Sequence, residues 1–192
     1  LLSLAQCGIL SKDEINKILA SIRTIASDLV DDMNRLHTKE VSRNEFLDQY
    51  GHLRPGTYDI MSLRYDQMPD FSQMGFEKVE KKEISKFDLT LSQKKSIDKV
   101  LESNGFKGMD CDGFLTYVRE ATAGREYGKF IFTKSVSNIL EIITKYGEDH
   151  FLSREELSHI PINEFLSILK RSSEDNIEDR LRKVSEFNKE NN

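Results

Sequence analysis

Apolar residues recur along this chain at intervals of three and four, in stretches divided by short polar or glycine-bearing breaks. That spacing predicts amphipathic helices. Ser11-x-x-Glu14 has the form of a capping box, in which a hydroxyl and a carboxylate satisfy each other's backbone N–H groups at a helix start. Ile15, Ile18, Leu19, Ile22, Ile25, Ala26, Leu29, Met33 and Leu36 follow, predicting one long helix that ends near residues 37–40. Ser42-x-x-Glu45 opens a short helix that offers Phe46 and Leu47 to a core and stops at Gly51. Thr90-x-x-Gln93 starts a third, carrying Ile97, Val100 and Leu101 and closing at Asn104-Gly105.

A central helix is expected from about Asp112, read as its N-cap, to Tyr146, through Phe114, Val118, Ile131, Phe132, Val136, Leu140 and Ile143. Ala121, Gly124 and Gly128 share one face of it, where another backbone or a ligand is expected to approach closely. Ser153-x-x-Glu156 caps a further short helix, and Pro161 suits the first turn of the next. Ile177, Leu181, Val184 and Phe187 form the stripe of a last helix, and the tail 188–192 is expected to fray. No stretch alternates with period two over strand length. The expected fold is therefore all-α, a multi-helix bundle in a single helical domain over 1–192, with one long irregular loop at about 51–84.

That loop begins "YGHLRPGTYDIMSLRYDQMP". Structureless connections beyond about 12–15 residues are uncommon in compact domains unless functional or disordered. Tyr50, Leu53, Tyr58, Ile60, Met61, Leu63, Tyr65 and Phe71 give it apolar anchors, so an ordered loop is expected. Pro55-Gly56 supplies turn residues from which His52, Arg54 and Asp59 project, and guanidinium groups beside a histidine suit a phosphorylated or carboxylated ligand. The competing reading is that Asp59 and Arg64 pair with each other and bond loop carbonyls, holding the connection in shape. A second charged stretch, "GREYGKF", places Arg125, Glu126 and Lys129 on the central helix beside the small-residue face, where a solvated edge is the plain alternative.

Charge and composition narrow the rest. There are 28 Lys and Arg against 33 Asp and Glu, a net charge of -5 with no basic run, which disfavours nucleic acid as a partner. No apolar run approaches the roughly 18 residues needed to span a bilayer, so no membrane partner is expected. The two cysteines, Cys7 and Cys111, form no CxxC and fit a reduced, cytoplasmic setting. A start at "LLSLAQ", with no initiator methionine, points to a piece of a longer polypeptide. The "GMDCDGF" stretch fails as a calcium loop, because counting from Gly108 puts Arg119 where a bidentate Glu is required. His37, His52, His150 and His159 lack metal-ligand spacing, and no metal site is expected. GxGxxG, GxxxxGK[ST] and GxSxG are all absent, so nucleotide chemistry or serine hydrolysis is not expected from this chain alone.

"FLDQYGHLRPGTYDIMSLRYDQMP" resembles a segment written approximately YGHRGPGExDLxxPRWxExP in the phosphoenolpyruvate synthase and rifampicin phosphotransferase group, which is pyruvate phosphate dikinase-like. "REYGKFIFTKSVSNILEIITKYGEDHFLSREELSHIPINEFL" is similar to the later part of the same region, where R-E-x-x-K/R-F leads to S-R-E-E/D-L-x-x-L-T-I. The two matches cover somewhat under half the chain. The resemblance implies the helical acceptor-site or linker domain of an ATP-dependent phosphotransferase. In that group an ATP-grasp module phosphorylates a histidine on a swivelling module, and the phosphohistidine then passes its phosphoryl group to a small-molecule acceptor. Carried over by position, His52, Pro55, Gly56, Asp59, Ser62 and Arg64 fit the loop motif, and Arg125, Glu126 and Lys129 fit the helix motif.

His52, Arg54, Asp59, Arg64, Arg125, Glu126 and Lys129 are thus the implied acceptor-binding residues, with His52 a candidate base. This chain departs from the pattern at Leu53, Arg54 and Thr57, which stand where the group has Arg, Gly and Glu, and the shifted guanidinium implies altered specificity. Neither a phosphohistidine signature nor an ATP-grasp region is present, so the chain is not expected to turn over alone. ATP and Mg are implied for the parent enzyme and no cofactor for this chain. The alternative is a noncatalytic all-helical interaction module.

Overall fold

The computed structural model describes residues 1–69, 87–171 and 176–191. Residues 70–84 of the expected loop, with the anchor Phe71, lie outside them. Among the described residues the secondary structure is helical and no strand occurs. The fold is all-α. The helices are α1 (Leu2–Gln6), α2 (Lys12–Ala20), α3 (Ile25–His37), α4 (Arg43–Tyr50), α5 (Leu91–Ser103), α6 (Cys111–Asp149), α7 (Arg154–Ser158), α8 (Ile162–Arg171) and α9 (Ile177–Glu190), with a 3-10 turn at Tyr65–Gln67. No described helix is long and apolar enough to cross a membrane.

Contacts divide the chain into two compact units, Leu1–Val41 with Phe76–Phe130, and Ser42–Gly75 with Ile131–Asn192. The first unit buries Ile15 and Ile18 of α2, Ile97 and Leu101 of α5, and Cys111 and Leu115 at the start of α6. The second buries Ile60 of the loop with Leu152, Leu157, Phe165, Ile168 and Leu181. In the first, Gln93 of the α5 cap donates to Glu14 of the α2 cap, so two capping boxes bond each other.

The four capping boxes read from the sequence are all formed, at Ser11, Ser42, Thr90 and Ser153. Other details of the helices differ from expectation. The single helix expected from Ser11 to about His37 is two, broken at 21–24. Ser21 turns its hydroxyl back on the Ile18 carbonyl at 2.7 Å, and Thr24 is extended (φ -130°, ψ 170°), its N–H donating to Ser27 Oγ. Ser and Thr side chains compete in this way with the helical ladder. Asp110, not Asp112, caps α6: its Oδ1 accepts the Gly113 N–H at 2.8 Å. Asp112 lies in the first turn and pairs with Lys94 at 2.7 Å.

The face at Ala121, Gly124 and Gly128 is open, since a Cβ added at either glycine meets nothing within 4 Å. The close approach occurs instead at Gly147, where a Cβ would fall 2.5 Å from Leu157 Cδ1. On α9, Phe187 is 67% exposed and Ser185 takes the inward place, its hydroxyl donating to Glu156 O at 2.7 Å. The helix continues to Glu190, into the segment expected to fray, with Lys189 paired to Glu155.

Candidate functional site

The loop from Gly51 to Met68 owes its shape to a set of bonds that a helix does not supply. Gly51 follows α4 in a right-handed conformation (φ -57°), so its glycine is not required by backbone handedness. It is required by space, because a Cβ would collide with the Leu47 carbonyl and crowd Asp66. Two backbone bonds then close the loop across its ends, Tyr65 N–H to Leu53 O at 2.9 Å and Asp66 N–H to Gly51 O at 3.1 Å. At the tip, Gly56 N–H donates to Ser62 Oγ and Asp59 Oδ1 accepts the Met61 N–H at 2.9 Å. Of the expected anchors, Tyr50, Ile60 and Tyr65 are buried, while Tyr58, Met61 and Leu63 are exposed.

Arg54 is the centre of this arrangement. Its side chain has no exposed surface. Nε donates to Ser137 Oγ at 3.0 Å, one terminal nitrogen to Ser62 O at 2.6 Å, and the other to both Ser137 O and Glu141 Oε1, the last at 2.6 Å. The guanidinium is thereby committed to the protein. Glu141 also accepts from Gln67 and lies 3.4 Å from Arg154, whose other terminal nitrogen bonds Ile60 O at 2.9 Å. Burial raises the Glu141 pKa. The hydrogen bonds from Gln67 and Arg54 and the charges of Arg154 and Arg54 lower it further than burial raises it, so it sits below the usual carboxylate range.

The remaining predicted residues fall into four settings. His52 is buried, 3% exposed. Arg64 pairs with Asp66 at 2.6 Å, in place of the expected pair with Asp59, and donates to Asn138 Oδ1 at 3.0 Å. Asp59 lines a cleft of about 350 Å³ together with Tyr58 and Ile60 of the loop. The opposite walls are Val136, Ile139, Leu140 and Ile143 of α6, and Leu157, Ser158, Ile160, Ile162 and Phe165 around α7 and α8. A larger cleft, about 530 Å³, lies between α1 and α2 in the other unit and contains none of these residues.

Arg125, Glu126 and Lys129 belong to the first unit and pair with one another, Glu126 accepting from Arg125 at 2.7 Å and from Lys129 at 3.1 Å. The structure thus brings His52, Arg54, Asp59 and Arg64 into one loop of the second unit and leaves the helix triplet outside that unit.

Sequence reasoning did not single out Glu141, Ser137, Gln67 or Arg154, the groups that hold the loop. Ser137 and Glu141 stand one turn apart on α6, each directly after an apolar residue, Val136 and Leu140, and a polar pair beside an apolar stripe is the available signal. Among the described residues no group of three His, Cys, Asp or Glu side chains is placed to hold a metal ion. The sequence matches no family model, no curated protein and no solved structure.

Proposed function

We propose that this chain is the helical acceptor-holding region of a phosphoenolpyruvate synthase-like, ATP-dependent phosphotransferase, acting with ATP-grasp and phosphohistidine modules of the same polypeptide in a cytoplasmic setting. The observation that carries the reading is the cleft. The loop that bears the motif is bonded into one shape by Arg54, Glu141 and Arg154, and its tip forms one wall of an apolar recess large enough for a small molecule.

Phosphoryl transfer from a phosphohistidine depends mainly on positioning and on compensation of charge. An acceptor hydroxyl oxygen forms the new P–O bond as the P–N bond breaks, and the hydroxyl proton leaves to a base. In this reading the cleft orients the acceptor. Arg54 fixes the loop and stays bonded to Glu141. In this reading ATP and Mg act at the other modules.

The test is transfer of label from ATP by the intact polypeptide. The expected result is a labelled histidine on another module, then label on a small acceptor, with kcat/KM reduced at least about tenfold by Ile139→Gln in the cleft wall. Absence of a phosphohistidine, or an unchanged rate in Ile139→Gln, overturns the reading.

A second reading, a helical interaction module, is favoured by the exposure of Ile131, Phe132 and Ile142 on α6. It predicts that Phe132→Ser abolishes capture of a protein partner and leaves every phosphotransfer assay unchanged.

A further inference from the structure

The cleft beside the loop carries an unbalanced charge. Among the described residues that line it, Asp59 alone is charged, and none is Lys, Arg or His. Four described arginines beside the loop are already committed: Arg54 and Arg154 to Glu141 and to loop carbonyls, Arg64 to Asp66 and Asn138, and Arg43 to the Met68 carbonyl. Asp59 itself is fixed in direction, because its Oδ1 accepts the Met61 N–H. The rest of the described lining is apolar except for Ser158 and the Tyr58 hydroxyl, with Tyr58 and Ile139 at 68% and 52% exposure offering apolar surface to a ligand.

We infer that this cleft selects an apolar molecule bearing a cationic amine, with the apolar body against Ile139, Leu140 and Ile143 and the ammonium group at Asp59. Apolar walls reward removal of hydrocarbon from water without regard to charge. A carboxylate at the rim then decides which head group is tolerated, by attracting an ammonium and repelling another carboxylate. An anionic acceptor of the keto-acid type finds no counter-charge among the described lining residues. The inference rests on reading the cleft as the acceptor site, and a binding measurement made without nucleotide separates the two.

The experiment is calorimetric titration of the full chain with three probes of equal chain length, decyltrimethylammonium, decanol and decanoate, each below its aggregation concentration. The ammonium probe is expected to bind about fivefold tighter than the alcohol, and the alcohol about fivefold tighter than the carboxylate, the factor given by a unit charge pair near 4 Å in water. Asp59→Asn retains an oxygen for the Met61 N–H and should bring all three probes to one affinity. Ile139→Gln, at a half-exposed position, should weaken all three together.

The inference is overturned by decanoate binding as tightly as the ammonium probe, by a ratio that Asp59→Asn leaves unchanged, by affinities that Ile139→Gln leaves unchanged, or by the binding of no probe. If the probes bind in the expected order and the intact polypeptide transfers no phosphate, the phosphotransfer reading alone fails. If the polypeptide transfers phosphate only to an anionic acceptor, the charge selection alone fails.

Discussion

Arg54 and Arg125 were chosen from the sequence for the same reason, a guanidinium within a recognisable motif, and they end in opposite surroundings. Arg54 has a fully buried side chain with four bonds to protein oxygens, one of them to a carboxylate. Arg125 is 68% exposed at its side chain and, among the described residues, bonds its neighbour Glu126. A buried charge with its partners in place is a structural commitment, because removing one partner strands the other in a poor solvent. An exposed ion pair costs little to break and leaves the group free to serve a ligand. The difference teaches that burial, which residue type does not reveal, separates the arginine that builds the loop from the arginine still available for chemistry.

The largest effect expected from this comparison is at Glu141. Glu141→Ala leaves Arg54 buried without its carboxylate and should destabilise the chain by about 3 kcal/mol, the lower end for breaking a buried pair, because Glu141 keeps 23% of its own surface. Urea unfolding followed by circular dichroism measures it. A loss under about 1 kcal/mol would show that the loop does not depend on the pair.

The glycines of α6 give a second contrast on one helix. Gly147→Ala drives a methyl group into the buried Leu157 and should cost about 1–3 kcal/mol. Gly128→Ala adds its methyl to open space and should gain about 0.5–1 kcal/mol from helix propensity. Opposite signs from the same substitution, read as shifts in thermal midpoint, would establish which face of α6 is packed.

A smaller effect follows from pH. The folded-state pKa of Glu141 lies below that of the unfolded chain, so its stabilisation is fully present above the ordinary Glu value near 4.5 and is lost as pH falls through the lowered folded value. Glu141→Gln should therefore show a shallower decline of stability between pH 5 and acid than the unaltered chain. An identical decline in both would place the acid sensitivity at other carboxylates.

What the sequence could show was local. Helix starts are set by a hydroxyl and a carboxylate three residues apart, and the boxes at Ser11, Ser42, Thr90 and Ser153 formed where that spacing put them. The break at 21–24 escaped notice because the apolar stripe continues through Ile22 and Ile25, while the competing signal rests on the hydroxyls of Ser21 and Ser27. Arg54 was visible as a residue but not as a strut, since its partner Ser137 is 83 positions away and no spacing rule reaches so far. Asp59 at an apolar cleft was legible only in part: the turn at Pro55-Gly56 announced a presented carboxylate, and the walls from α6 to α8 required tertiary structure.

The smallest change in stability belongs to the other side of the comparison, and it is the most informative about function. Arg125→Ala removes one exposed ion pair and should alter stability by no more than about 0.5 kcal/mol. If Arg125 serves the transferring phosphoryl group, the same substitution should lower kcat of the intact polypeptide with little change in KM, since the interaction is made in the transition state. Glu126→Gln provides the control. It frees Arg125 and Lys129 from the carboxylate they share, and should raise or preserve the rate where loss of the cation lowers it. Equal rates in both variants would mark the triplet as a solvated helix edge, with its charges spent on one another.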